Sequence, residues 1–472
     1  MKDVVLRVLF LSILSSISTY GQIKSLFGFP CASVCPDGSS PMGTLMQASD
    51  GNFYGTAAEG GNGLLNRVGG TIFRITPSGN FTLLFTFVAD HDGEFSKGSQ
   101  PIAGLVEGND GFLYGTTVTG GKDNSGVIFK IGKTGAFSVL HSFCSLPGCA
   151  DGSSPFGTLA LGDDGLLYGT ASSGGAGRAG TIFTISSNGV FTVLRTLNAF
   201  TDGSQPFGGL MQASDGNFYG ATNTGVNNLA ANLVRVTPAG DFGVIAPLPF
   251  LGNVQGQLMQ ASNGLLYGDI QYDSIFTSTI GGDVQDLVLL SGRQDGNSAL
   301  LSGIIQASDG NLWGTSSGQS FGPYGVIYAI TPSGKFVKNY AFSCSVGGSA
   351  MSAPVQGSDG KFYGATPSCG TDAMGHRAFG SLYSLDAGLR PPKPSIAAVS
   401  PSKGPPGTQV VVRGDHLIGT SVVAFGDVPA QFQVLNRKFM VAVVPDAAQK
   451  GFISVTNFGG AVKSKQTFTP EQ

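Results

Sequence analysis

Along most of the chain, two short apolar runs flank a polar turn, and the arrangement returns every 46 to 60 residues. The turn is Asp-Gly or Asn-Gly, at Asp50, Asp110, Asp164, Asp215, Asn263, Asp309 and Asp359. One unit reads Pro206-Phe207-Gly208-Gly209-Leu210-Met211-Gln212-Ala213-Ser214-Asp215-Gly216-Asn217-Phe218-Tyr219-Gly220. Such pairs suit tight hairpins, because the turn needs positive φ, which glycine adopts freely and Asn or Asp tolerate. A third strand is predicted from Gly70 to Thr76, ended by Pro77-Ser78-Gly79, and a fourth from Phe81 to Phe87. Thr237-Pro238-Ala239-Gly240 and Thr331-Pro332-Ser333-Gly334 repeat that punctuation in later units. Four antiparallel strands per unit make a propeller blade, so the pattern predicts an all-β fold built on a seven-bladed β-propeller over residues 22–388.

The ends of the array bear on closure. The seventh unit has its hairpin at Asp359-Gly360 and a third strand from Gly380 to Leu385, then runs into Arg390-Pro391-Pro392 without a fourth strand. Residues Ile23 to Phe29, followed by Cys31 to Pro41, match Phe137 to Phe143 and the stretch that follows them, so they form a fourth strand without a blade of its own. Pairing the two ends completes blade seven and leaves no open seam, which favours a closed ring over an open solenoid.

Outside the repeat, the first 21 residues place Lys2 and Arg7 ahead of an apolar stretch from Val8 to Ile17, with small residues at Thr19 and Gly21. This predicts a secretory signal peptide cut near Gly21, too short in its apolar part to span a bilayer. Residues 389–394 are a proline-rich linker, after which the Asp-Gly repeat stops and a second domain occupies 395–470. Glycine supplies 74 of 472 residues, which suits many turns rather than long helices. A net charge of −3 with no basic run gives no footprint for nucleic acid or for an anionic membrane.

The unit in which Gly-x-Leu-x-Gln-Ala-Ser-Asp-Gly-x-Phe-Tyr-Gly-Thr leads to Gly-x-Ile-Phe-x-Ile-Thr-Pro-x-Gly-x-Phe resembles the GloVer tandem repeat of exported bacterial proteins, over about residues 23–385. That resemblance implies topology and export, since no general activity attaches to the family. Kelch repeats share the period, but their tryptophan per unit is missing here, where Trp313 stands alone. Gly404-Pro405-Pro406-Gly407-Thr408-Gln409-Val410-Val411-Val412-Arg413-Gly414 and Val422 to Ala430 resemble the IPT/TIG immunoglobulin-like sandwich. The resemblance implies a spacer or adhesive module at a bacterial surface.

Six cysteines in an exported chain predict the disulfides Cys31 with Cys35, Cys144 with Cys149 and Cys344 with Cys369, and no metal site, because none has Cys-x-x-Cys spacing. Gly314-Thr315-Ser316-Ser317-Gly318 and Gly175-Ala176-Gly177-Arg178-Ala179-Gly180 fit catalytic and dinucleotide motifs in the wrong context, with no helix following, and are read as loops. The four histidines are scattered and compose no acid-base cluster.

Acidic turns recur in the loops between blades, at Asp37, Asp92, Asp151, Asp202 and Asp295. They form either a partial carboxylate ring suited to Ca²⁺ or a polyhydroxylated ligand, or plain Asx-turns; no other cofactor is implied. The expected role is an exported, non-catalytic binding or adhesion protein for an extracellular glycan or protein, with ligand on the loop-rich face opposite the hairpins and Asp37, Asp92, Asp151 and Asp202 as first candidates. The alternatives are a propeller enzyme of polysaccharide lyase or hydrolase type and a structural surface component.

Overall fold

The computed structural model describes residues 21–31, 35–61, 68–225, 230–248, 254, 256–270, 274–289, 301–317, 324–372 and 374–471. The expected leader up to residue 20, and Asp295, lie outside the described residues. Apart from one 3-10 turn at Pro147–Cys149, the regular structure described is all β. Seven four-stranded antiparallel sheets are described between Ile23 and Leu385. The first comprises Met46–Gln47, Phe53–Ala57, Val68–Ile75 and Phe81–Val88 in chain order. The innermost strand has two residues in every sheet but the sixth, where it is Leu301–Gln306. The seventh sheet draws its strands from both ends of the array: Ile23–Pro30 lies beside Ala378–Leu385, with Ile23 opposite Leu385 and Pro30 opposite Ala378.

The repeat motif is accounted for atom by atom. Asp50 Oδ1 accepts from the Asn52 backbone N–H at 3.1 Å, which closes the turn, while Oδ2 accepts from the Tyr54 hydroxyl at 2.7 Å. The tyrosine ring is buried, and a hydrogen bond to a charged acceptor satisfies its one polar atom, worth about 1.5–3 kcal/mol. The same bond joins Tyr114 to Asp110, Tyr168 to Asp164, Tyr219 to Asp215 and Tyr363 to Asp359. Where the type changes the link is kept: Asn263 donates to Tyr267, and the Trp313 indole donates to Asp309. The glycine after the tyrosine is a packing requirement, since a Cβ on Gly55 would stand 2.7 Å from both Leu45 and the Phe73 ring.

Neighbouring sheets are joined by stacked rings, Phe27 on Phe81, Phe85 on Phe137 and His141 on Phe191, at 3.8 to 3.9 Å between centroids. A second link runs near the hairpins. The side-chain oxygen of Gln212 accepts from the backbone N–H of Asp163 in the unit before it, at 3.0 Å. Gln260, Gln306 and Gln356 do the same to Ser214, Ser262 and Ser308, and Glu107 to Ser49, each at 2.8 Å. Gln47 of the first unit accepts from Ser358 of the seventh, also at 2.8 Å. The third unit has Leu161 at this position.

The second domain is a β-sandwich. One sheet runs Ser395–Ser400, Gln409–Asp415, Phe439–Val443, Phe432–Val434; the other runs Lys403–Gly404, Gly460–Pro470, Gly451–Asn457, Val422–Phe425, Val428–Pro429. Alternating residues such as Val410, Val412, Val423, Phe425, Met440 and Ile453 fill the space between them.

This domain lies against the hairpin turns of the repeat. Leu161 shares an apolar cluster with Phe439 and Leu435. Beside it Asn436 donates to Asn109 at 2.8 Å, and Arg413 is ion-paired to Asp163. The linker is tied down where Ser308 donates to the Arg390 carbonyl at 2.6 Å.

Candidate functional site

A cavity of about 660 Å³ is bordered by the innermost strands of all seven sheets. The chain of each unit passes it from the loop face toward the hairpin. Close to the loops the half-buried residues are Met42, Ile102, Phe156, Phe207 and Met351, each standing four places ahead of the innermost strand, with Phe156 and Phe207 packed edge to face at 4.9 Å. Deeper lie Met46, Val106, Met211, Met259, Ile305 and Val355, with Ala160 at the third unit. They are the first residues of the two-residue inner strands and the matching position of the sixth sheet. Backbone and small residues such as Gly43, Gly157 and Gly208 separate the two apolar rings.

The hairpin end of this cavity is walled by Pro392 of the linker and by the second domain through His416, Ile418, Arg437, Lys438 and Asn457. Charges there are mostly neutralised. Arg437 holds Asp415 at 2.6 Å, and Glu107 is paired to Lys133 at 2.6 Å and to the Ser49 hydroxyl at 2.7 Å. Burial, and then the charge of Arg437, push His416 down to about 4, so it is neutral near pH 7. Burial also draws Lys438 below the ordinary lysine value.

The loop face is built differently. In five units the loop entering the innermost strand forms a β-bridge with the loop between strands two and three: Ser39 with Glu59, Ser99 with Thr119, Ser153 with Ser173, Ser204 with Thr224 and Gly348 with Ser368. Cysteines are bonded as Cys31–Cys35, Cys144–Cys149 and Cys344–Cys369, and the last pair ties these same two loop classes together in the seventh unit.

The acidic turns fall into three situations. The carboxylate of Asp151 is buried and accepts from Ser145 N–H and Oγ, from Leu146 N–H and from His141 at 3.1 Å. Asp202 is likewise buried and grips Arg195 through Nε and Nη2 at 3.0 and 2.7 Å, with Asn198 N–H at 3.1 Å. Asp37 is half-buried, and burial raises its carboxyl above the usual value. Asp92 is exposed and sits outside the equivalence drawn from the sequence. The Ser99–Thr119 bridge aligns Gly98-Ser99 with Gly38-Ser39, so Lys97 occupies the place of Asp37 in the second unit. The inserted turn Asp90–Glu94 imitates the Asp-Gly spelling a few residues early. None of these four carboxylates borders the central cavity, and no group of three metal-ligating side chains is found among the described residues.

Two motifs set aside on sequence can be placed. Gly175–Gly180 is a loop; Gly314 to Ser316, read as a loop, belongs instead to the strand Leu312–Ser316, its glycine being the packing glycine of the repeat. The cavity rings went unread in the sequence, although the apolar residue following the core leucine, as in Leu45-Met46, Leu105-Val106 and Leu210-Met211, is their signal.

Among solved structures, the chain is similar to virginiamycin B lyase from Staphylococcus aureus, at 14% identity and a TM-score of 0.53, covering 77% of this chain and 99% of that one. It is similar to a fungal alcohol oxidase solved with copper, at 13% identity and a TM-score of 0.50, over 95% of this chain and 99% of that one. It also matches the extracellular domain of a hybrid two-component system from B. thetaiotaomicron, at 10% identity and a TM-score of 0.51, over 96% of this chain and 56% of that one. At such identities the likeness is one of fold, and the fold is propeller-like. A comparison with curated proteins finds no match. The Gloeobacter/Verrucomicrobia repeat model matches residues 14–150 and 91–277, more than half of the chain, and the IPT/TIG model matches 394–470. The chain belongs to the Gloeobacter/Verrucomicrobia repeat family and carries a C-terminal IPT/TIG domain.

Proposed function

We propose that this protein is an exported, non-catalytic binding protein: a seven-bladed propeller closed by its N-terminal strand, recognising an extracellular glycan or protein on the face opposite its hairpins. The observation that carries this reading is the position of the IPT/TIG domain, whose side chains wall the hairpin end of the cavity and leave the loop face as the approach for a partner. Loops of unequal length on a rigid scaffold suit recognition. The ring reading is supported by the Ile23–Leu385 pairing and by the Ser358–Gln47 bond, which repeats between the last and first units the link found between other neighbours. Binding is favoured over catalysis because the carboxylates at and beside the cavity wall are spent on neighbouring cations, Asp415 on Arg437 and Glu107 on Lys133. Export is supported by three disulfides and by the pattern of the first 21 residues. No helix among the described residues is long and apolar enough to cross a membrane.

On this reading Asp92 and Asp37 are the acids available for direct contact, whereas Asp151 and Asp202 shape their loops. The test is binding of the mature protein to arrayed glycans and to extracellular protein extracts, with product analysis of every bound glycan. Asp37→Asn with Asp92→Asn should weaken capture of any positive ligand several-fold at unchanged melting. Release of shortened products would instead establish an enzyme.

A further inference from the structure

The sequence contains eight methionines, and five of them, Met42, Met46, Met211, Met259 and Met351, border the one central cavity. Methionine is unbranched and polarisable, and it is favoured where an apolar wall must fit a guest rather than a fixed neighbour. Together with Phe156 and Phe207 these residues give the cavity an apolar lining at both levels. Its volume of about 660 Å³ lies in the range of small-molecule sites, roughly 300–1,000 Å³.

The closed end adds a charge. Lys438 of the IPT/TIG domain borders the cavity, and its ammonium makes no hydrogen bond or ion pair among the described residues. The nearby carboxylates are already engaged, Asp415 by Arg437 and Asp163 by Arg413. A half-buried cation without a partner carries a desolvation cost that an anion would offset.

We propose that the cavity binds one small apolar molecule bearing an anionic group, its apolar part against the methionine-rich rings and its anion at Lys438. The ligand enters from the loop face, so the proposal rests on the reading of that face as the open one. The IPT/TIG domain thereby supplies the polar end of the site, and the site is incomplete without it.

The experiment uses the full mature chain and a fluorescent long-chain carboxylate, cis-parinarate, beside its methyl ester. Saturable binding is expected, with the acid preferred by about tenfold, the order expected of one hydrogen-bonded ion pair. Lys438→Met should abolish that preference and leave ester binding in place, and Met211→Arg should abolish both. A second readout needs no variant. Bound parinarate should slow peroxide oxidation of the five cavity methionines, while exposed Met374 oxidises at its own rate. Absence of saturable binding, or equal oxidation with and without probe, overturns the site; equal affinity for acid and ester overturns the role of Lys438. Asp37→Asn and Asp92→Asn should leave parinarate binding unchanged, so failure of the cavity and failure of the loop face are read separately.

Discussion

At the residue scale, the repeat is a set of reciprocal obligations between side chains, and the exceptions are where chemistry accumulates. Asp269 is one. It lies on the strand Leu266–Ile270 at the place held by Thr56 in the first unit and Thr315 in the sixth, whose hydroxyls donate to Ala103 and Ser352 carbonyls of the next unit at 2.9 Å. Asp269 reaches across in the same way but with reversed polarity, its Oδ1 accepting from Gly303 N–H at 2.9 Å. Its other oxygen is buried and has no partner among the described residues, and burial pushes the carboxyl up to about 6 from an ordinary 3.8. A raised folded-state value means that the stabilisation is complete below about pH 4, where the group is protonated in both states, and is lost as pH rises through about 6. Asp269→Asn keeps the acceptor and removes the charge. It should raise stability by about 1–3 kcal/mol at pH 8 and by almost nothing at pH 4, measured by denaturant unfolding at both. The sequence shows the aspartate where threonine stands elsewhere, but not its burial, since that depends on the close approach of Gly256, ahead of the innermost strand of its own unit, and Gly303 of the next unit.

At the element scale, strands and hairpins were legible because each unit repeats the same turn chemistry and the eye can average seven copies. The incomplete seventh unit and the surplus Ile23 to Phe29 stretch were likewise visible, and the register Ile23–Leu385 places the latter beside the former. Removing Ile23 to Pro30 would expose the edge of Ala378–Leu385 and uncover Ile23 and Phe29 contacts worth about 3–6 kcal/mol by burial alone. The truncated protein should melt roughly 10 °C or more below the full chain and aggregate. An unchanged, monomeric melt would show that the strand merely decorates the sheet. Loops were harder to read. An inserted turn at Asp90–Glu94 carries the same Asp-Gly spelling as its neighbours, and only the Ser99–Thr119 bridge shows that Lys97 holds the equivalent place.

At the scale of the whole molecule, each of the two domains was legible and their contact was not. A linker with three prolines reads as a spacer, yet Ser308 fastens it to the sixth hairpin and the sandwich settles on the second and third. Leu161 is central to that contact, and Leu161→Gln would restore the polar link of the other units while stripping an apolar partner from Phe439. The variant should lose about 1–3 kcal/mol of domain coupling, separate into two calorimetric transitions and show a larger radius of gyration in solution scattering. A single unchanged transition would place the coupling elsewhere. The same leucine also breaks a rotational equivalence. In the proposed closed ring, seven near-identical units would present seven near-identical seats, and a partner domain facing them could settle at any azimuth; one apolar residue among glutamines and a glutamate makes the seats unequal. The orientation of the second domain, and of every loop counted from it, is thus addressed by the few side chains that depart from the repeat in two adjacent units, Leu161 and Asp163 in the third and Asn109 in the second.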